Sequence, residues 1–336
     1  MFRNLSIVLL VVVAAAVLVA AARTARAKVD EKTVQRITKA MPDKAPAKPA
    51  KPRKVLLYGV CGGFRHGGAI ECAKVAFPIM AEKTGAFEVV VSDDLANFEA
   101  DKLKEFDAII LSNTTGELLK SRGPQKPRKP DLKKVKDPDK LEAAQAKYKE
   151  QVAKWQEAVK KFKAQGDPSE RLRKNLMDWI KSGKGVVGIH AATDCSYGWK
   201  EYGQMMGGYF AGHPWHEMMA IKNDDPTNPI NAALEGKALN VVDEIYQFNR
   251  GVYSREKQRV LLSLDMNKVK KKGNRKDNDY AISWVKTHGK GRVFYCSLGH
   301  RNEIFWNPVV LRHYLAGLQW VLGDLKGVET KPNPLK

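Results

Sequence analysis

The run GVVGI at residues 185–189, followed at once by HAATD at residues 190–194, sets the fold class of this chain. Five consecutive residues without a polar side chain are typical of a strand that is buried on both faces. The polar residues that follow mark the carboxyl end of that strand. Strands of this kind occur in mostly parallel sheets covered by helices, so the stretch predicts an α/β fold.

Strand–helix alternation extends from this stretch towards both ends of the chain. Towards the amino terminus, strands are predicted at residues 55–60, 87–91 and 107–111, and helices at 67–84 and 169–182. Beyond residue 210 strands follow one another with few helices between them. They are predicted at residues 217–222, 241–248, 259–264, 280–285 and 292–297, before a last helix at 308–322. We therefore expect a mostly parallel sheet with a mixed extension.

A basic segment at residues 121–167 interrupts this alternation. Its first part is rich in proline and lysine, and its second part places apolar residues at spacings of three and four, which predicts one amphipathic helix. Two interpretations are open. The helix packs on the domain or on the helix at 169–182, which we favour, or it forms an arm that contacts a protein or a surface.

The first 53 residues are expected to lie outside the folded domain, which we place at residues 54–325. Residues 1–27 combine Arg3, an apolar run and the small residues Ala25 and Ala27, which predicts an export signal and a periplasmic or extracellular protein. Without cleavage, the apolar run would anchor the chain in a membrane. Residues 28–53 are rich in proline, lysine and alanine, and we predict an extended linker there.

The charge distribution argues against nucleic acid as a partner. The chain has 58 basic and 37 acidic residues, which gives a net charge of +21. Residues 1–27, 28–54 and 121–165 together carry +17 of this excess, so the predicted core is almost balanced. Charge runs outside a core are typical of solvated surfaces, and we expect no nucleic-acid partner.

Several common catalytic motifs are absent from the sequence. It has no G-x-S-x-G elbow, no phosphate-binding P-loop and no H-E-x-x-H motif, and the glycine-rich turn at residues 62–67 lacks the G-x-G-x-x-G pattern. Its four cysteines form no C-x-x-C pair, so a zinc ribbon is excluded, whereas disulfide pairing stays open. The serine-hydrolase and nucleotide-binding classes are therefore not favoured.

Three histidines, His66, His190 and His300, follow different predicted strands. Ligands bind beyond the carboxyl ends of the strands in an open α/β sheet, so we predict that these side chains share one site. The alternative is that each is a hydrogen-bonded structural residue. His213 is expected to join the site, whereas His216, three residues later in a strand, is expected to face away. Surface or packing roles are expected for the other two, His288 and His313.

A divalent metal site is a chemically reasonable use of these histidines, although the sequence leaves the cofactor unassigned. Imidazole and carboxylate groups suit zinc and iron. The candidate ligands are His66, His190, His213, His300 and Glu217, with Asp194 as a further carboxylate.

Six groups of motifs occur in one order along the folded chain. They are FRH at 64–66, NTTG at 113–116, GIHAATD at 188–194, GGYF at 207–210 with HP at 213–214, DEIY at 243–246, and GKGRVFY at 289–295 with GH at 299–300. Together they resemble the trehalose-utilisation (ThuA-like) domain family over residues 54–323. The resemblance implies the fold of class I glutamine amidotransferases, a flavodoxin-like three-layer sandwich, here with a mixed sheet extension and a helical insertion.

The chain departs from such proteins at three places. The turn that holds a nucleophilic cysteine in an amidotransferase holds His190 here, and Cys195 lies five residues later. Glutaminase activity is therefore not expected. The insertion at 121–167 is longer than the usual connection, and Asn228 precedes Pro229 where many relatives have a His-Pro pair.

The resemblance implies an enzyme that acts on a disaccharide or keto-sugar as a hydrolase, lyase or isomerase. His190 is then expected to act as general base and His66 or His300 as the paired acid. Asp194 is expected to orient an imidazole. Substrate contacts are expected from Arg65, Asn113, Thr114, His213, Trp199 and Trp215. The alternative is a non-catalytic module that binds a carbohydrate by stacking it on Trp199, Tyr209 and Trp215.

Overall fold

A mixed sheet of nine strands lies at the centre of the described chain, which comprises residues 29–121, 123–132, 137–249, 251–271 and 273–335 of a computed structural model. Its strands are β1 (Lys54–Tyr58), β2 (Glu88–Val91), β3 (Ala108–Ser112), β4 (Gly185–Ile189), β5 (Trp215–Asn223), β6 (Leu239–Ile245), β7 (Arg259–Leu264), β8 (Ala281–His288) and β9 (Gly291–Cys296). The predicted export signal at residues 1–27 lies outside the described residues. Within them, no helix is both long and apolar enough to cross a membrane.

The sheet has a parallel half and an antiparallel half. Its strand order is β2-β1-β3-β4-β9-β8-β7-β5-β6. The strands from β2 to β9 in that order pair in parallel, and all later pairs are antiparallel. The α/β class and the mixed sheet are therefore confirmed. Parallel strands end at the same edge, so the loops after β1, β3, β4 and β9 lie side by side.

Helices cover both faces of this sheet. They are α1 (Glu31–Ala40), α2 (Gly67–Thr84), α3 (Ala100–Leu103), α4 (Pro138–Gln165), α5 (Ser169–Lys181), α6 (Lys200–Met206) and α7 (Pro308–Leu322). Buried residues of α1, α2 and α7 share one core, and those of α5 and α6 share the other. Successive residues of β1 alternate between these cores, with Leu57 in the first and Leu56 in the second.

The prediction of an extended linker at residues 28–53 is wrong. Helix α1 begins after Asp30, whose carboxylate accepts the Thr33 backbone N–H at 2.9 Å, and it buries Val34 and Ile37 in the core. The following segment is also fixed, since the Ala47 backbone N–H donates to the Gln319 side chain at 2.9 Å. The prediction relied on the proline and lysine content of this segment and missed the helical spacing of its apolar residues.

The described residues of the basic insertion contribute nothing to either core. Helix α4 contains no buried residue. The contacts that the structure shows for its apolar stripe are with the insertion's own loop: Trp155 Nε1 donates to the Pro124 carbonyl at 3.0 Å, and the Lys126 ammonium lies 5.6 Å from the Trp155 ring centre. The favoured prediction that this stripe packs on the domain is therefore wrong, because the stripe contacts the insertion's own loop.

Candidate metal centre

The turn after β4 places His190 beside the loop that follows β9. Ile189 and Ser112 are register partners, and the residues after them, His190 and Asn113, both have positive φ angles of 50° and 55°. Such backbone is uncommon outside glycine and concentrates at functional sites. Nδ1 of His190 donates to the Ser297 carbonyl at 2.7 Å. In the neutral imidazole this hydrogen bond leaves the lone pair on Nε2.

The structure brings His66, His190 and His300 together at the carboxyl edge of the sheet. The ring centres of His66 and His190 are 4.8 Å apart, and that of His300 lies 5.0 Å from the first and 5.2 Å from the second. His66 and His190 are buried, and His300 is partly exposed. The geometry therefore places all three side chains at one site.

Glu244 of strand β6 joins the three imidazoles, and the sequence analysis did not select it. Its Oε2 lies 3.5 Å from Nε2 of His190 and 3.2 Å from Nδ1 of His300. One ligand atom from each of the four side chains lies within 4.8 Å of all the others. Three imidazole nitrogens and one carboxylate oxygen form a donor set that zinc or iron(II) accepts. We call these four residues the metal cluster.

The electrostatics of the cluster suit a cation. Burial, together with His190 and His300, lowers the pKa of His66 to about 3, so His66 is a neutral imidazole. Burial alone would raise the pKa of Glu244, but the two adjacent imidazoles outweigh burial and hold it below its ordinary value. The Glu244 contact in turn raises the pKa of His300. The cluster thus combines the neutral imidazole of His66 with one carboxylate that stays ionised.

Asp243, the neighbour of Glu244, fixes the loop that carries His300. It is fully buried, and its carboxylate accepts the backbone N–H groups of Gly299 at 2.6 Å and Arg301 at 2.9 Å. Burial raises its pKa, and these backbone hydrogen bonds partly offset that effect. The His300 N–H also lies 3.4 Å from this carboxylate, so three consecutive backbone N–H groups of the loop are held by one side chain. Asp243 is therefore a positioning residue for His300.

Two further histidines lie beside the cluster. Nδ1 of His213, which is half exposed, lies 3.4 Å from Oε1 of Glu244. The expectation that His216 faces away is wrong, because its ring centre lies 4.7 Å from that of His300. His216 is the register partner of Glu244, and opposite residues of antiparallel strands share a face. Glu217 occupies the opposite face of β5 and is not a ligand candidate.

The predicted polar contacts to substrate do not form one group. Arg65 forms a surface ion pair with Glu71 at 2.8 Å. Asn113 is fully buried and donates to the Gly299 carbonyl at 3.3 Å, and Thr114 is fully buried as well. Asn113 and Thr114 therefore support the loops around the cluster, which contradicts their predicted role in substrate contact.

Two of the three aromatic residues predicted to stack on a sugar are buried. Trp215 is buried, and its Nε1 donates to the Lys271 carbonyl at 3.0 Å. Tyr209 is buried and donates to the Trp199 carbonyl at 2.6 Å. The Arg173 guanidinium lies 5.4 Å from the Trp199 ring centre. The prediction that Trp215 and Tyr209 bind a sugar is therefore wrong, whereas that for Trp199, which is partly exposed, stays a prediction.

Asp194 and His313 also have structural partners. The Asp194 carboxylate accepts a hydrogen bond from the Tyr197 hydroxyl at 2.6 Å, so it orients a phenol and not an imidazole. His313 is fully buried, 2.8 Å from the Ser283 hydroxyl and 3.2 Å from the Ile230 carbonyl. Of the two roles open to His313, the structure shows packing.

Solved structures with a similar fold include two ThuA-like proteins. The one from Bacteroides uniformis ATCC 8492 has a TM-score of 0.56 and 20% identity, over 84% of this chain and 98% of that chain. The one from Parabacteroides merdae ATCC 43184 has a TM-score of 0.48 and 14% identity, over 83% and 93%. At such identities the first comparison shows a shared fold alone. No curated protein matches the chain.

A family profile matches more than half of the chain. The profile described as trehalose utilisation, ThuA, matches residues 135–321. This range contains three members of the metal cluster, His190, Glu244 and His300, as well as Asp243. The resemblance seen in the motifs is thereby confirmed, and the chain belongs to the trehalose-utilisation (ThuA) family.

Proposed function

We propose that this protein is a metal-dependent enzyme that transforms a carbohydrate, either a disaccharide or a keto-sugar. The observation that carries the proposal is the convergence of His66, His190, Glu244 and His300 within 4.8 Å at the carboxyl edge of the sheet. Membership of a family described by trehalose utilisation supports carbohydrate as the substrate class. The proposed reaction is hydrolysis, elimination or isomerisation at a carbon that bears a hydroxyl or carbonyl group.

The surroundings of the metal cluster fit a divalent metal. The hydrogen bond from His190 Nδ1 to the Ser297 carbonyl is the support that metal-ligating histidines commonly have. Nδ1 of His66 is buried without a hydrogen-bond partner, so a ligand there would relieve an unsatisfied polar atom. When bound, a divalent metal supplies Lewis-acid polarisation of a substrate oxygen and lowers the pKa of water.

The assignment of ligands changes the proposed acid–base roles. His66, His190 and His300 offer their lone pairs to the metal, so the proton transfer predicted for His190 passes to another group. His213 is half exposed and lies 3.4 Å from Glu244, between the cluster and solvent. We assign to it the transfer of a proton between a substrate hydroxyl and solvent.

The fold supports a kinship with amidotransferases without their chemistry. The parallel strand order β2-β1-β3-β4-β9 supports the flavodoxin-like, class I amidotransferase-like sandwich as part of this proposal. No disulfide joins the four cysteines, all of which lie in the described part of the chain. Burial raises the pKa of the Cys195 thiol to about 12, the opposite of what a nucleophile needs. Glutaminase activity is therefore not proposed.

Export and surface contact belong to the same proposal. The leader at residues 1–27 supports an exported protein that meets its carbohydrate outside the cytoplasm. The basic insertion, whose helix α4 buries no residue, supports an additional contact with a protein or a surface.

Metal content and turnover of the purified protein test the proposal. We expect about one equivalent of zinc, iron or another divalent ion after dialysis, and turnover of trehalose or its keto derivative that stops with a chelator and returns with the metal. His190→Ala should lose both the metal and turnover. The matched control is His288→Ala, because His288 lies at the end of β8 beside Glu201, outside the metal cluster.

Two results would contradict the proposal. The first is a protein that binds no divalent ion, and the second is a His190→Ala variant with the metal load and activity of the wild type. Carbohydrate binding with a bound metal and no turnover on any keto-sugar or disaccharide would instead favour the non-catalytic binding module.

A further inference from the structure

Exposed apolar side chains are concentrated at one place in the described chain. The large apolar side chains with high exposure are Phe64 at 67%, Met218 at 63%, Tyr197 at 50% and Leu335 at 49%. The first three lie on segments next to the metal cluster, and only Leu335 lies in the carboxyl-terminal tail. Ligand sites are lined mainly by apolar and aromatic side chains with a few polar groups among them, so this arrangement indicates a binding surface. We call Phe64, Met218 and Tyr197 the apolar rim.

Phe64 and Met218 lie at opposite ends of a row of rings. The Phe64 ring centre is 4.9 Å from that of His66, which is 5.0 Å from that of His300, which is 4.7 Å from that of His216. Met218 is two residues beyond His216 in β5, so it extends from the same face of the strand. The two apolar side chains therefore border the cluster on different sides.

Tyr197 is connected to the cluster through Phe210 and His213. Its hydroxyl is held by Asp194 at 2.6 Å and lies 3.1 Å from the Phe210 carbonyl. The Phe210 ring stacks on His213 at 5.8 Å, next to Glu244. The polar end of Tyr197 is thus fixed while half of the side chain stays open to solvent. A ring held in this way binds a flat surface at little entropic cost.

We propose that the apolar rim is the substrate subsite and binds the C–H face of a pyranose ring whose hydroxyl groups point towards the metal cluster. A pyranose is apolar on the face that its axial hydrogens form and polar around its edge, which matches apolar side chains around a polar centre. The proposal rests on the proposed function for the identity of the substrate. It assigns sugar recognition to Phe64, Met218 and Tyr197, in place of the buried rings of Trp215 and Tyr209.

Calorimetric titration of the full chain tests whether the apolar rim binds a sugar. The probes are trehalose, sucrose, maltose and cellobiose, with sorbitol as an open-chain polyol that has no ring face. We expect at least one disaccharide to bind, and Phe64→Ala to weaken its affinity by about five- to tenfold. Phe64→Trp should keep the wild-type affinity because it keeps the flat surface. Leu335→Ala is the matched control and should keep the wild-type affinity for the disaccharide. Any binding of sorbitol should be the same in the wild type and in the variants.

The titrations are run with and without added zinc, and the metal content is measured on the same samples. An unchanged disaccharide affinity in Phe64→Ala would overturn the rim, as would the absence of binding by all four disaccharides. A protein that takes up no metal would contradict the proposed function, while the ratio of affinities between Phe64→Ala and wild type would still decide the rim.

Discussion

The phenolic hydroxyl of Tyr246 lies 3.0 Å from Nε2 of His190, the ring nitrogen that faces Glu244. Nδ1 of His190 already donates to the Ser297 carbonyl, so Nε2 accepts the hydrogen of Tyr246. Burial raises the pKa of Tyr246 far above its ordinary value, which keeps it a neutral donor. A metal ion and the Tyr246 hydrogen therefore compete for the same lone pair of His190.

This competition predicts that Tyr246→Phe binds metal more tightly than the wild type. The variant loses one hydrogen bond that metal binding must break, so its affinity for Zn²⁺ should rise about two- to tenfold. Competition with a chromophoric chelator measures the affinity. Tyr58→Phe serves as control, because the Tyr58 hydroxyl donates to the Leu118 carbonyl away from the cluster. A weaker affinity in Tyr246→Phe would show that the phenol supports the metal and does not compete with it.

Asp243→Asn should weaken the metal centre without touching a ligand. The amide side chain has one oxygen for the N–H groups of Gly299 and Arg301, and its own N–H₂ group faces another donor. Loosening of the His300 loop should lower Zn²⁺ affinity by about 10- to 100-fold. Asp225→Asn is the matched control, since Asp225 is another buried carboxylate and binds Arg259 at 2.9 Å. Both variants should lose stability, and equal loss of Zn²⁺ affinity in both would refute the positioning role.

Some members of the metal cluster could be predicted from the sequence, and others could not. His190 and His300 could be found because His190 directly follows strand β4 and His300 lies four residues after the end of β9, and parallel strand ends converge. Glu244 and its pairing with His216 could not, because they depend on the register of a hairpin that brings β6 beside β5. One signal was present: two adjacent acids inside the apolar strand β6 need buried partners.

Helix α1 is a second feature that the amino-acid composition did not predict. Ile37 is fully buried, so Ile37→Ala should lower the free energy of unfolding by about 2–5 kcal/mol. Lys32→Ala, on the exposed side of the same helix, should change it by less than about 0.5 kcal/mol. Urea unfolding followed by circular dichroism compares the two. Equal stability of both variants would restore the interpretation of residues 28–53 as a linker.

Deletion of residues 124–162 should leave the sheet intact. Helix α4 buries no residue, and its Trp155 hydrogen bond to Pro124 lies within the deleted segment. A short bridge also closes the remaining loop at a lower entropic cost. We expect cooperative unfolding at an unchanged or higher urea midpoint, with the wild-type metal content. Loss of cooperativity would show that the insertion belongs to the core.

His313 should make the fold sensitive to acid. Burial lowers its pKa from 6.5 to about 4, although the hydrogen bond to the Ile230 carbonyl partly offsets this. Between these two pH values the unfolded chain binds a proton that the folded chain does not, so stability rises with pH across this window. The contribution is fully present above pH 6.5, and about 3 kcal/mol of it is lost as the pH falls to about 4.

The His313→Gln variant isolates this contribution, because glutamine does not titrate. This variant should be less stable than the wild type at pH 7, since one amide side chain cannot reproduce both hydrogen bonds, to Ser283 and to Ile230. Its free energy of unfolding should nevertheless fall less steeply between pH 6.5 and about 4. Urea unfolding at several pH values across this window gives both slopes. Parallel slopes would mean that other groups cause the acid sensitivity and that His313 accepts its proton equally well in the folded chain.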